Sequence, residues 1–188
     1  MIFSKVLNSS FFVLSLFVLG SCKENKPETV IPEPTVPELS MEESIKLSQN
    51  WTKDESYQID QFVERNQWPA TTSGTGVRYF IYEQGSGKQA EKGKVAIVDY
   101  EIRLLDAKNT LCYTSDSTGS IDFLIEMDNI ESGLHEAITY MKEGDKAHII
   151  LPHYLAHGLG GDMDKIPPLS PVWYNIHLLK VVDLKDDK

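Results

Sequence analysis

The sequence predicts an α+β fold of antiparallel strands with one short helix set before the penultimate strand. From Gly76 onward, stretches rich in valine, isoleucine and tyrosine are separated by glycine-bearing turns, which is how strands are punctuated. One short segment, Gly133 to Met141, carries Leu134, Ile138 and Met141 at helical spacing. Strands and helices do not alternate in the rhythm of a parallel sheet, and the chain has no internal repeat.

In chain order, the N-terminus reads as an export signal. Lys5 is followed by an apolar run from Phe11 to Leu19 and then by Leu19-Gly20-Ser21-Cys22. The run is short for a bilayer span and gives way at once to small residues. Leucine, two small residues and cysteine in that order resemble a bacterial lipobox. That implies a lipoprotein signal peptide over residues 1–21 and lipidation at Cys22. Residues 22–39 are a Pro/Glu-rich tether, since positions 23–38 hold four prolines, four glutamates and two lysines. Such a segment cannot bury a core and suits an extended chain.

The 188-residue precursor has 18 basic and 28 acidic residues; losing Lys5 with the signal leaves 17 against 28, a charge of −11. A surface this acidic argues against nucleic acid as a partner and against attraction to anionic headgroups. Membrane attachment therefore falls to the acyl chains at Cys22. With Cys22 lipidated, Cys112 has no partner within the chain, which rules out a disulfide framework or a cysteine-based metal site.

Residues 40–75 are predicted as a helical extension. Ser40 and Glu43 have capping-box spacing, and Tyr57, Ile59, Phe62 and Val63 give a partial apolar face between Asp54 and Asn66. Nothing in it is reactive; it reads as a helix packed on the next domain, or as a spacer. The folded domain spans 76–186. Its predicted strands are Val77–Glu83, Lys94–Leu104, Thr110–Tyr113, Ile121–Glu126, Ala147–Leu151 and Val172–Val182, with an irregular loop over 155–171. Gly133, Gly144 and Gly158 most simply supply turn conformations. His153, His157, Asp162 and Asp164 lie close in sequence, but a loop does not converge two histidines on one metal as a helix does, so no metal is expected.

Five short pieces in order make residues 93–182 resemble the family of FKBP-type peptidyl-prolyl cis-trans isomerases. They are Val98-Asp99-Tyr100; Ile130-Glu131-Ser132-Gly133-Leu134; Met141-Lys142-Glu143-Gly144-Asp145-Lys146; Leu151-Pro152-His153-Tyr154-Leu155-Ala156-His157-Gly158; and Ile166-Pro167-Pro168 with Val172-Trp173-Tyr174-Asn175-Ile176. The resemblance implies an antiparallel sheet wrapped around the short helix, with a substrate pocket between helix, sheet and loops. An exported, helix-preceded form also resembles lipoprotein isomerases of the Bacteroidetes, including those associated with gliding motility.

Carried over residue by residue, the resemblance implies catalytic roles for Tyr100, Glu131 (through its backbone N–H), His157 and Tyr174. It implies substrate contacts from Cys112, Tyr113, Ile121, Ile130, Leu134 and Ile166. The family's pocket-floor tryptophan falls on Leu134, and its Phe-Asp-Ser-Ser stretch on Cys112-Tyr113-Thr114-Ser115. The tyrosine of its Ala-Tyr-Gly loop falls on His157, and a neighbouring-strand aromatic on Ile121, or on Phe123 if the register slips. These departures predict weakened activity.

The implied reaction needs no nucleophile, cofactor or metal. Its implied partners are proline-containing exported polypeptides, met at the cell envelope, on the periplasmic face or outer membrane. A catalytically weak or inactive binding module using the same groove is the alternative. A structural subunit of a surface complex is a third class, drawing only on the tether, the acidic surface and the helix.

Overall fold

The computed structural model describes residues 40–184. The signal peptide, the Cys22 lipidation and the tether lie outside those residues. The expected helix is one uninterrupted element, α1 (Met41–Arg65), longer than the apolar pattern alone suggests. The capping box starts it: Ser40 Oγ accepts the Glu43 N–H at 3.3 Å, and Glu43 Oε2 accepts the Ser40 N–H at 3.0 Å. Its inward stripe is Glu55, Ile59 and Phe62, at spacings of four and three. Tyr57 does not belong to that face: two residues from Glu55 and Ile59, it points away and is 66% exposed.

The sheet comprises β1 (Thr71–Thr72), β2 (Arg78–Glu83), β3 (Lys94–Leu104), β4 (Leu111–Thr114), β5 (Ile121–Leu124), β6 (Lys146–Leu151) and β7 (Val172–Asp183). The strand order is β1-β2-β6-β7-β3-β4, and β5 pairs with β3 beside β4. All pairings are antiparallel. Sequence patterning missed β1 and the one-turn helix α2 (Ser115–Thr118), both too short to show a period. The helix expected at 133–141 is α3 (Ser132–Ile138), and the long loop opens with a 3₁₀ turn at His153–Leu155. Among the described residues, no helix is long and apolar enough to cross a membrane.

Strand alternation sorts the core onto two faces. Directly paired residues share a face: Ile149 with Tyr174 and Leu151 with Val172 lie inward, while Ile150 with Trp173 lie outward. The inner set joins Ala96, Val98, Leu134, Ala137 and Ile138 in the main core, so α3 packs there. The outer set meets Ile59 and Phe62, so α1 docks on the opposite face with Trp68 beside it. Arg78 adds a polar clamp, donating to Asp60 Oδ1 at 2.9 and 3.1 Å and to Ser56 Oγ at 2.7 Å. Gly133 is not a turn glycine. It sits in α3, where a Cβ would lie 2.7 Å from Leu151 Cδ2, so its role is close packing.

Candidate functional site

The same alternation opens a small cavity on the inner face. Val98, Tyr100 and Ile102 of β3 alternate inward and face Tyr174 and Ile176 of β7, with Ile102 opposite Tyr174 and Tyr100 opposite Ile176. Ile121 of β5, paired with Val98, closes one side, and Ile130, Glu131 and Leu134 close the other from the start of α3. The space between them is about 100 Å³ and opens to solvent. Buried His135 fixes the approach to α3: its Nδ1 accepts the Glu126 N–H at 2.9 Å and its Nε2 meets the Asp128 carbonyl at 2.9 Å.

One end of this apolar space is polar. Glu131 is the N-cap residue of α3, and its carboxylate lies 3.1 Å from His157 Nε2, with both side chains largely buried. The approach is too bent for a well-formed hydrogen bond at that nitrogen, so the contact is electrostatic and strengthens when the imidazole is protonated. Burial works to raise the Glu131 carboxyl. His157, the residue's own backbone N–H and the Tyr174 hydroxyl outweigh it and hold the group below the usual carboxylate range. His157 moves the other way: the Glu131 carboxylate raises it, burial opposes, and the charges of Glu131 and Asp162 add to the rise. Tyr174 is 2% exposed, and burial with the facing Glu131 charge pushes its phenol well above the ordinary value.

Six of the ten residues implied for the pocket line the cavity: Tyr100, Ile121, Ile130, Glu131, Leu134 and Tyr174. The other four are placed around it. Cys112 enters the core at an irregularity in the β3–β4 pairing, where Tyr113 opposes Ile102 and Leu111 opposes Arg103. It is 3% exposed, and burial raises its thiol. Tyr113 turns its hydroxyl to Asp162 and Asp164, with Lys165 Nζ 4.7 Å over its ring. Ile166 is buried in the main core, held where Asp162 Oδ1 accepts its N–H at 2.8 Å. His157 stands at the edge, paired to Glu131. Phe123 pairs with Ala96 and packs on His135, so Ile121 holds the position nearest the cavity.

Val98, Ile102 and Ile176 were missed as lining residues, although period-two counting from Tyr100 and Tyr174 would have found them. Asp162 as a partner of Tyr113 is signalled by no local pattern. Burial would raise its carboxyl, but the Tyr113 hydroxyl and the Asp164 and Ile166 amides hold it at about 2. The residues weighed for a metal are otherwise engaged: His153 with Glu55, His157 with Glu131, and Asp162 and Asp164 with Tyr113.

A sheet wrapped around α3 with an apolar hollow between them defines a class. Residues 86–179 match the family described as FKBP-type peptidyl-prolyl cis-trans isomerase. That is half of the chain, and the chain belongs to this family. A probable FKBP-type isomerase, FkpA of Neisseria meningitidis, is 32% identical over 110 residues, covering 58% of this chain and 39% of that protein. FkpA of Escherichia coli is 29% identical over the same length, with the same coverage. The chain thus spans well under half the length of these relatives. The crystal structure of Escherichia coli FkpA resembles this one with a TM-score of 0.57 at 24% identity, over 78% of this chain and 75% of that one, a likeness of fold.

Proposed function

We propose that this protein accelerates cis–trans isomerisation of X–Pro bonds in exported polypeptides, held at the cell envelope by a lipid on Cys22. The observation that carries the reading is the hollow of about 100 Å³ walled by Tyr100, Ile121, Ile130, Leu134 and Tyr174, with its polar groups gathered at one end.

Rotation about an X–Pro bond faces a barrier of about 18–20 kcal/mol because amide resonance is lost at the twisted geometry. A site lowers it by favouring the twisted imide over the planar one. A dry apolar wall does part of this, since the twisted form has lost the charge separation that water stabilises. The Glu131 N–H is the group assigned to the substrate carbonyl. His157, carrying its proton more readily than an ordinary imidazole, is the second donor at the rim.

A protease-coupled or NMR-exchange assay on Xaa-Pro peptides tests this. Turnover at micromolar protein is expected, and a rate no faster than buffer would remove the enzymatic reading. The alternative, a binding module that holds proline-containing segments without turning them, is favoured by one observation: Tyr113, where the family has an aspartate, is committed to Asp162. Peptide affinity without turnover would select it. The division into signal peptide, tether, helical extension and isomerase domain, and the likeness to gliding-associated lipoproteins, belong to the same proposal. Metabolic labelling with a fatty-acid analogue, lost in Cys22→Ser, tests the anchor.

A further inference from the structure

We propose that Glu55 of α1, a helix outside the family-matched region, is a positioning residue for the pocket rim, holding His153 and through it the turn that carries His157. This rests on the prolyl-isomerase reading of the pocket. The contact joins residues 98 apart: Glu55 Oε1 accepts the His153 backbone N–H at 2.7 Å, and Oε2 meets His153 Nδ1 at 2.8 Å. Both residues are buried, at 7% and 8% exposure. Gripping the main chain and the ring of one residue fixes its place and its orientation together.

His153 passes that constraint on. Its carbonyl accepts the N–H of Ala156 at 3.1 Å and of Gly158 at 2.8 Å, the two neighbours of His157. The Gly158 carbonyl in turn accepts the Leu169 N–H at 3.1 Å. From the other side, a Cβ on Gly133 would come within 3.0 Å of Leu155 Cβ, so the turn is packed against the start of α3, where Glu131 sits. Leu169 and Pro171, near the far end of the loop, border the same groove as Trp51, Glu55 and His153. Docking of α1 has other contacts besides this carboxylate. Ile59 and Phe62 supply the apolar contact, and Arg78 holds Asp60 and Ser56. Burying a carboxylate is costly unless it is paired, and here every paired contact goes to the rim turn.

The test compares the full chain with Glu55→Ala, Glu55→Asp, Glu55→Gln and Asp60→Asn. Asp60 serves as control, because its bonds go to Arg78 and tie down the same helix without a bond to His153. In Glu55→Ala, hydrogen exchange at 156–158 should rise on the order of tenfold. KM for an Xaa-Pro peptide should rise on the order of tenfold with a smaller change in kcat. Glu55→Asp, which keeps the charge but withdraws it by one methylene, should move the same way if the alanine variant does not fold. Glu55→Gln can still accept from the His153 N–H and should restore most of the protection. Asp60→Asn should leave rim exchange and KM within about twofold. Unchanged rim exchange in both Glu55→Ala and Glu55→Asp overturns the proposal, and so does an Asp60→Asn variant that moves KM as far. If the wild type turns over nothing, the isomerase reading falls alone, and the exchange pattern still decides the role of Glu55.

Discussion

The two faces of the sheet treat a half-buried histidine in opposite ways. On the outer face, the ring centroid of His148 lies 4.2 Å from that of Trp68 and 4.6 Å from that of Tyr82. Its Nδ1 has no partner, and burial alone pulls the imidazole down to about 4. On the inner face, the Glu131 carboxylate raises His157 despite its burial. The difference is the carboxylate: aromatic walls desolvate a cation and return little, whereas a facing charge more than offsets the same loss. The outer face is filled for docking and keeps its histidine neutral. The inner face leaves a hollow and sets a carboxylate beside an imidazole at its edge.

Packing gives the largest test of this contrast. Phe62→Ala on the outer face should cost about 3–5 kcal/mol in denaturant unfolding, since the ring sits among Ile59, Trp68 and Trp173. Ile121→Ala, whose side chain already borders empty space, should cost about 2 kcal/mol and raise the KM for proline peptides. Equal stability losses with unchanged KM would erase the distinction between a packed face and a functional one. Next, Glu131→Gln should bring His157 back toward its ordinary pKa of about 6.5 by NMR titration and cost turnover severalfold. A histidine still raised in that variant would point to Asp162 as the main cause.

The pH dependence of stability should then carry opposite signs on the two faces. His148 is lowered in the folded state, so the unfolded chain takes up the proton first. Its penalty should grow as pH falls from about 6.5 toward about 4 and reach about 1 kcal/mol after allowance for partial exposure, a slope that His148→Phe removes. His157 is raised, so its contribution is complete below about pH 6.5 and is lost as pH rises through the folded-state value. Glu131 is lowered, so its share is present above about pH 4.3 and is lost as pH falls through the folded-state value. Wild type minus His157→Gln should therefore peak between about pH 4.5 and 6.5 at about 0.5–1 kcal/mol and fade as pH rises through the folded-state value of His157. Unfolding midpoints measured across that range check both slopes.

Much of the fold was legible because it is written in local periods. The Ser40–Glu43 box, the β3 run from Lys94 to Leu104 and the alternation through Val172 to Ile176 each state their own structure. The site was legible only through the family resemblance, which supplied Tyr100, Tyr174 and Ile130-Glu131; the strand periods then carry these residues to one face. The places where sequence reading slipped share a cause. The family resemblance puts Cys112 at the pocket, but an irregularity in the β3–β4 pairing, which one strand's sequence does not show, turns it into the core. Tyr57 was assigned to the inward face because a partial apolar stripe does not say which of two neighbouring residues the sheet will cover.

The family itself is the firmest thing the sequence decided, through five ordered pieces whose spacing places a short helix before the penultimate strand. The hollow is their product, since strand period and helix position are local quantities. Tertiary structure alone decided what surrounds the hollow. Glu131 pairs with His157, Asp162 meets Tyr113, and Glu55 reaches His153 across 98 positions. Each joins groups from separate elements, and a charge's protonation depends on which partner arrives and how much water leaves. The greasy walls of the pocket could be read along the chain, whereas the charges at its edge had to be found by folding it.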